Sequence, residues 1–133
     1  MSEEILFGKG EENPFGEFFI GKSYLNILAQ AGEVLVANVT FEPGCRNNWH
    51  IHHAEENGGQ ILLVTKGEGW YQEEGSDPVE LKPGMVVEIK PNVKHWHGAQ
   101  KDSWFSHIAI EVEGINTSNE WLEEVSDDYY NEL

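Results

Sequence analysis

Hydrophobic and polar residues alternate along most of this chain, in short runs that end at glycine- or proline-containing turns. The clearest runs are 33–44 (EVLVANVTFEPG), 60–75 (QILLVTKGEGWYQEEG), 79–91 (VELKPGMVVEIKP) and 104–114 (WFSHIAIEVEG). Alternation with a period of two, broken by a turn every 8–12 residues or so, is typical of short antiparallel strands with one buried face. The pattern therefore predicts an all-β sandwich or barrel.

The two ends of the chain break this alternation. Residues 1–16 are rich in glycine and glutamate, and we expect an irregular N-terminal arm there. Near the other end, capping residues at 117–119 precede Trp121, Leu122 and Val125 at helical spacing. This predicts a short C-terminal helix over about residues 118–131 that covers one mouth or edge of the barrel.

The length and the net charge of the chain limit its domain count and the kinds of partner that it can bind. The chain has 133 residues, enough for one domain, and we place its core at about 34–112 within a single domain of 1–133. With 24 acidic and 8 basic residues the formal net charge is -16, which argues against nucleic acid and anionic membranes as partners. Cys45 is the only cysteine, and neither a signal peptide nor an apolar run of membrane-spanning length is evident, so a cytoplasmic protein is expected.

The histidines carry the candidate chemistry. All six fall in three places: His50, His52 and His53; His95 and His97; and His107. Residues two apart on a strand point to the same face, so His50 and His52 project together, as do His95 and His97. Because imidazoles are common ligands of divalent transition metals, we predict a metal on His50, His52 and His95. The ordinary alternative is a set of surface or hydrogen-bonded core histidines.

The remaining histidines have different expected places. His53 points away from His52, and we expect it to face solvent or to be structural. His97 would either support the ligands from behind or form a pocket wall. His107 shares the face of Phe105 and Glu111 on its predicted strand. Both faces of that strand carry apolar residues, so the pattern does not decide which face points inward.

A fourth ligand can be chosen in two ways. Counting forward from the histidines favours Glu56, whereas counting back from the turn at Gly67 favours Gln60. A carboxylate is ordinarily the better partner for a hard divalent ion, which supports Glu56.

The spacing of these residues resembles the two motifs of the cupin superfamily. Gly44, five residues and the pair His50 and His52 match the first motif, and Gln60 followed by six residues and Gly67 matches its end. The separation of Gly84 from His95 matches the second motif. The resemblance implies a jelly-roll barrel with a metal inside. The chain departs from the pattern in its longer gap after His52, in a glutamine where glutamate is usual, in the displaced Pro91, and in lacking an asparagine four residues after His95.

This resemblance favours Gln60 over Glu56. In cupins the ligand opens a strand that runs into the turn glycine, and a slip of one residue would turn every side chain of that strand to the other face. The four extra residues, within 52–59 (HHAEENGG), would then form a loop at the mouth of the site, with Gly58 and Gly59 easing the return.

More closely, the segments VTFEPGCRNNWHIHH, KHWHGA and SHIAIE resemble the manganese-dependent cupin hydroxynitrile lyases and their uncharacterised bacterial relatives. The resemblance implies one divalent ion, manganese first and iron, zinc, nickel or cobalt as alternatives. It also implies ligands, catalytic residues and pocket residues: His50, His52, Gln60 and His95 for the metal; His107, with His97, for acid–base chemistry; Asn47, Phe105 and Glu111 for the pocket. At Asn47 those lyases carry a hydroxyl-bearing residue, and at Glu111 they carry an amide.

The function implied is therefore metal-dependent lyase, isomerase or decarboxylase chemistry on a small hydroxy or carbonyl compound, with hydroxynitrile cleavage as the best-matched reaction. The alternatives are a cupin dioxygenase with a redox metal and a non-catalytic metal-containing barrel that binds a small ligand. Because edge strands of a partly open barrel need covering, we also expect a homodimer that pairs N-terminal strands, which a single-chain mass in solution would contradict.

Overall fold

Short strands make up most of the protein. The computed structural model describes residues 4–133. The strands are β1 (Glu11–Glu12), β2 (Phe19–Ile20), β3 (Ser23–Ala31), β4 (Val34–Phe41), β5 (Arg46–Asn47), β6 (His50–His53), β7 (Glu56–Asn57), β8 (Gln60–Gly67), β9 (Gly69–Glu73), β10 (Val79–Leu81), β11 (Val86–Ile89), β12 (His95–Ala99), β13 (Phe105–Glu111), β14 (Gly114–Ile115) and β15 (Ser118–Trp121). A 3₁₀ turn at Gly16–Phe18 and a helix α1 at Asp127–Tyr130 complete the described elements. The predicted all-β class is confirmed.

Two antiparallel sheets form the barrel. The first has the order β1-β3-β4-β13-β8-β11, and the second runs β10-β9-β12-β5-β2 with β6 joined to β12 and β15 joined to β6. Alternate side chains of both sheets point inward and form one apolar cluster that includes Phe41, Leu62, Tyr71, Leu81 and Phe105. This arrangement is consistent with the expected jelly-roll barrel.

Strands from outside residues 34–112 also belong to these sheets. β3 pairs with β4 along its length, and β15 pairs with β6, so the sheets extend beyond the expected core on both sides. Within the N-terminal arm β1 pairs with β3, and the carbonyl of Gly8 accepts a hydrogen bond from the Asn38 amide at 3.0 Å. The described part of the arm therefore lies against the first sheet.

The predicted short C-terminal helix is present, but it is shorter than the predicted range of about 118–131. Residues Ser118–Trp121 form strand β15, and only Asp127–Tyr130 are helical, with the Ser126 hydroxyl accepting from the Tyr129 amide at 3.2 Å. Helix propensity is a weak preference that tertiary pairing overrides. Here β6 offers a free edge, and pairing with it seats the Trp121 ring against His50 at a centroid distance of 4.6 Å.

Beyond β15 the chain crosses the outer face of the second sheet. Val125 and Tyr130 are buried there against Trp96. The buried Arg46 guanidinium donates to the Val125 carbonyl at 2.7 Å and to the Asp127 carboxylate at 2.6 Å, which ties this segment to β5. Within residues 4–133 we find no helix long and apolar enough to cross a membrane.

Candidate functional site

Strands β6 and β12 bring three histidines together at the centre of the second sheet. His95 lies directly opposite His50 in the antiparallel register, and His52 is two residues further along β6. One ring nitrogen from each of the three lies within 4.8 Å of the others. All three rings are buried in the barrel. The predicted convergence of His50, His52 and His95 is confirmed.

Hydrogen bonds fix how each of these rings faces the centre. Nδ1 of His50 lies 2.8 Å from the Asn48 carbonyl oxygen, and Nδ1 of His95 lies 2.9 Å from the Val93 carbonyl oxygen. Nδ1 of His52 lies 2.8 Å from the side-chain oxygen of Asn119. A neutral imidazole that donates from Nδ1 keeps its lone pair on Nε2. The Nε2 atoms of His52 and His95 are buried without a hydrogen-bond partner in the described structure. Buried polar atoms are rarely left so, and a metal ion would satisfy them.

Gln60 adds a fourth donor from the first sheet. It is the first residue of β8, and its Oε1 atom is also buried without a hydrogen-bond partner among the described residues. The loop reaches this position through Gly58 and Gly59, whose φ values of 84° and 91° favour glycine. A Cβ on Gly59 would lie 2.4 Å from the Ile89 carbonyl oxygen, so the close approach also requires glycine. The residues therefore fit a divalent ion held by three imidazoles and an amide oxygen.

Glu56, the alternative ligand, lies elsewhere. It belongs to β7, which pairs with β14, and its side chain is exposed. The Glu55 amide donates to the Ile115 carbonyl at 2.8 Å, which holds the inserted loop against this segment. The structure therefore brings Gln60, and not Glu56, to the cavity that His50 and His52 line.

A cavity of about 220 Å³ opens beside these donors. Its polar lining residues are Asn13, Asn47, His50, His52, Gln60, His97, His107, Glu111 and Asn119. Its apolar wall comes from Phe15, Phe19, Leu25, Leu35, Ala37, Val39, Ala109 and Trp121. The cavity thus combines candidate metal ligands, further histidines and room for an apolar group.

His97 and His107 form a buried pair beside the three ligand candidates. Nε2 of His107 lies 3.3 Å from Nδ1 of His97, so one of these two nitrogens carries the hydrogen. The Asn47 side-chain oxygen accepts from the His97 backbone amide at 2.9 Å, which turns its NH₂ group toward Nε2 of His97 at 3.2 Å. An amide NH₂ can only donate. This arrangement places the shared hydrogen on Nδ1 of His97 and the lone pair on Nε2 of His107.

Burial keeps these rings uncharged. Desolvation lowers the pKa of His95 to about 4 and that of His107 to about 3. Desolvation, followed by repulsion from neighbouring histidines, holds the pKa values of His50 and His97 well below the usual range. Neutral imidazoles are the form that binds a metal or accepts a proton. At neutral pH each of these four rings is therefore a neutral imidazole with one nitrogen lone pair.

Comparison with known proteins places this geometry in a family. The profile of the cupin domain family (Cupin_2) matches residues 37–110, more than half of the chain. The chain belongs to the cupin family. This cupin is 40% identical over 126 residues to a protein named (R)-mandelonitrile lyase from Granulicella tundricola, an alignment that covers 92% of this chain and 90% of that protein.

Solved structures agree with the fold. A cupin-like protein from Thermotoga maritima superposes with a TM-score of 0.84 at 38% identity, covering 97% of this cupin and 96% of that chain. A predicted oxalate decarboxylase from the same organism superposes with a TM-score of 0.68 at 19% identity, covering 77% and 90%. The second likeness, at such low identity, concerns the fold alone.

One residue predicted to line the pocket does not. Phe105 is fully buried in the apolar cluster, where its ring meets Phe41 and His107 at centroid distances of 5.6 and 5.5 Å, and it is not part of the cavity wall. It shares the inward face of His107 and Glu111 but lies deeper in the barrel. Residue parity identifies the inward face of a strand and not the depth along it.

Other site residues were missed by the sequence analysis. Asn119 and Trp121 lie on the strand that was predicted as helix, and Phe15 and Phe19 lie in or beside the N-terminal arm. No local pattern marks Asn119, because its partner His52 is 67 residues away. His53 has the expected place, since its side chain is 41% exposed and bonded to Glu120.

Proposed function

We propose that this cupin is a metal-dependent lyase that cleaves the carbon–carbon bond of a small α-hydroxynitrile such as mandelonitrile. The observation that carries the proposal is the neutral His97–His107 pair, which lines the same cavity as His50 and His52, two of the three clustered histidines. The 40% identity to a protein named (R)-mandelonitrile lyase supports the choice of reaction.

His50, His52, His95 and Gln60 would hold one divalent ion, with manganese as our first choice among manganese, iron, zinc, nickel and cobalt. When bound, such an ion supplies Lewis-acid polarisation of a substrate oxygen. Four neutral ligands leave its positive charge uncompensated within the ligand set, which strengthens that effect.

The protein's own residues would move the proton. The substrate hydroxyl would replace Nδ1–H of His97 as the hydrogen-bond donor to Nε2 of His107, and Nε2 of His107 would then take the hydroxyl proton. The bond between the carbinol and nitrile carbons breaks, the oxygen electrons form the carbonyl, and cyanide leaves with the bonding pair. His107 then returns its proton to cyanide, which gives an aldehyde and hydrogen cyanide. Asn47 keeps the His97 ring in place behind His107. Because burial lowers the pKa of His107 to about 3, the ring is neutral at neutral pH and has a lone pair that can accept a proton.

The apolar wall would hold the hydrocarbon part of the substrate. Phe15, Phe19 and Trp121 are aromatic members of this wall and suit a planar ring. The substrate hydroxyl would then point toward the histidines that line the cavity. A small aromatic or branched hydroxynitrile matches this division of the cavity.

Turnover of His107→Ala tests the proposal. We expect the metal-loaded wild type to release benzaldehyde from (R)-mandelonitrile, and His107→Ala to do so about 10²- to 10⁴-fold more slowly, because the proton acceptor is gone. Absorbance of benzaldehyde follows the reaction. His53→Ala is the matched control, since His53 faces solvent outside the cavity. Equal turnover in wild type and His107→Ala at saturating metal would contradict the assigned role, and no turnover in the wild type would contradict the reaction.

A further inference from the structure

Gln60 and Glu111 form a cross-strand pair at the edge of the cavity. They lie directly opposite each other where β8 pairs with β13, a register set by an irregularity between Ser106 and His107. Side chains opposite each other on antiparallel strands share one face and interact directly. Both side chains line the cavity that contains His50 and His52. Glu111 is therefore placed to contact and orient the Gln60 side chain.

The contact between the two side chains has a defined direction. Nε2 of Gln60 donates to Oε2 of Glu111. A carboxylate only accepts hydrogen bonds, so it selects the NH₂ end of the amide. The other end, Oε1, is left buried without a hydrogen-bond partner in the described structure. The reversed amide would set its oxygen against the carboxylate and turn NH₂, which has no lone pair for a cation, toward the cavity.

The other three ligand candidates are oriented by different partners. His50 and His95 are oriented by backbone carbonyls of residues two positions earlier, which no substitution removes. His52 is oriented by the side-chain oxygen of Asn119. Among the four, Gln60 is the one whose orientation depends on a carboxylate.

We propose that Glu111 is a positioning residue that sets metal affinity by holding the Gln60 amide with Oε1 toward the three histidines. It also brings a carboxylate close to a ligand set that is otherwise uncharged. This inference rests on the proposed metal site, and it deepens that proposal because Glu111 stands outside the ligand set.

Metal affinity of Glu111 variants tests the inference. We would measure the dissociation constant for Co²⁺ by competition with a chromogenic chelator, and record the visible absorption of the bound Co²⁺. Glu111→Met removes the acceptor and should weaken binding about 10- to 100-fold, as loss of a residue that orients a ligand does. Glu111→Gln can still accept from Gln60 and should lie between Glu111→Met and wild type. The exposed Glu113 gives the matched control, and Glu113→Met should bind like wild type.

A rescue separates positioning from a general loss of stability. A carboxylate has two equivalent oxygens and needs no orientation, so Gln60→Glu combined with Glu111→Met should recover most of the lost affinity. The inference would be overturned if Glu111→Met bound Co²⁺ as tightly as wild type, or if Glu111→Met and Glu113→Met lost affinity equally. It would also be overturned if the double variant did not recover affinity, or if the wild type bound no Co²⁺. Failure of the lyase reaction alone would leave these affinities as predicted, so the two proposals fail separately.

Discussion

Each ligand candidate at this site is oriented by a second residue. The histidine Nδ1 atoms meet carbonyl or amide oxygens, and the Gln60 NH₂ group meets Glu111, so the remaining donor atoms face inward. Such orientation before metal arrives lowers the cost of assembling the site. It also means that residues outside the ligand set control metal affinity.

Asn119 offers a test at the residue scale. Asn119→Leu removes the acceptor that holds Nδ1 of His52, so His52 can rotate or change its tautomer. We expect Mn²⁺ affinity to fall about tenfold, while Asn119→Asp, which keeps the acceptor, retains at least wild-type affinity. Isothermal titration of the metal-free proteins gives both numbers. Asn131→Leu serves as control, because Asn131 is exposed, has an ordinary right-handed helical backbone conformation and lies outside the cavity. Unchanged affinity in Asn119→Leu would show that His52 needs no such support.

Sequence spacing predicted the ligand residues better than it predicted their supports. The pairs His50 with His52 and His95 with His97 follow from strand parity, which is a local rule. Asn119 and the contact between Gln60 and Glu111 depend on which strands become neighbours, and a local pattern does not contain that information. Phe105 was misplaced for a related reason, because depth in the barrel is set by the whole sheet.

At the scale of elements, the alternating runs became strands as predicted. β4, β8, β9, β10, β11 and β13 all lie within those runs, and the turn at Pro83 and Gly84 separates β10 from β11. The prediction for the C-terminal segment was wrong over Ser118–Trp121, because these residues pair with the free edge of β6 instead of forming a helix. Edge strands expose unpaired peptide groups, and a segment that pairs with them gains more than a short exposed helix would.

Strand β15 brings residues of the C-terminal segment into contact with the candidate metal ligands. It places Asn119 against His52 and Trp121 against His50, so the C-terminal segment forms part of the cavity wall. The ring of Trp121 is also stacked on Phe18 at a centroid distance of 4.7 Å, which ties the N-terminal region to the same wall. The N-terminal and C-terminal regions therefore both contribute to a site whose candidate ligands lie between residues 50 and 95.

For the molecule as a whole, the buried histidines should couple stability to pH. The pKa values of His50, His95, His97 and His107 lie below the usual 6.5 in the folded protein. Above pH 6.5 neither state binds these protons, so stability is unaffected. As pH falls below 6.5, the unfolded chain takes up protons that the folded chain refuses, and stability falls toward the folded pKa values near pH 3 to 4.

The free energy of unfolding of the metal-free protein checks this coupling. Each of the four histidines should contribute a slope of up to about 1.4 kcal/mol per pH unit below pH 6.5. Urea unfolding between pH 7.5 and pH 5 measures the slope, and His53→Ala, which alters an exposed ring, is the control. A free energy that did not change between pH 6.5 and pH 5 would contradict burial of neutral rings.

The expected homodimer stays a prediction at this scale. Among residues 4–133, β1 and β2 lie at sheet edges, and each pairs with a strand of its own chain on one side. Pairing through such an edge would follow ordinary strand addition.

The central claim is that His50, His52, His95 and Gln60 hold one divalent ion, and metal content tests it most directly. The protein would be purified without chelator or affinity metal, and its metals counted by mass spectrometry for wild type and Gln60→Ala. We predict about one divalent ion per chain in the wild type and a sharply lower content in Gln60→Ala, because the amide oxygen is lost. No metal in the wild type would contradict the site itself, and equal metal in both proteins would contradict the place of Gln60 in it.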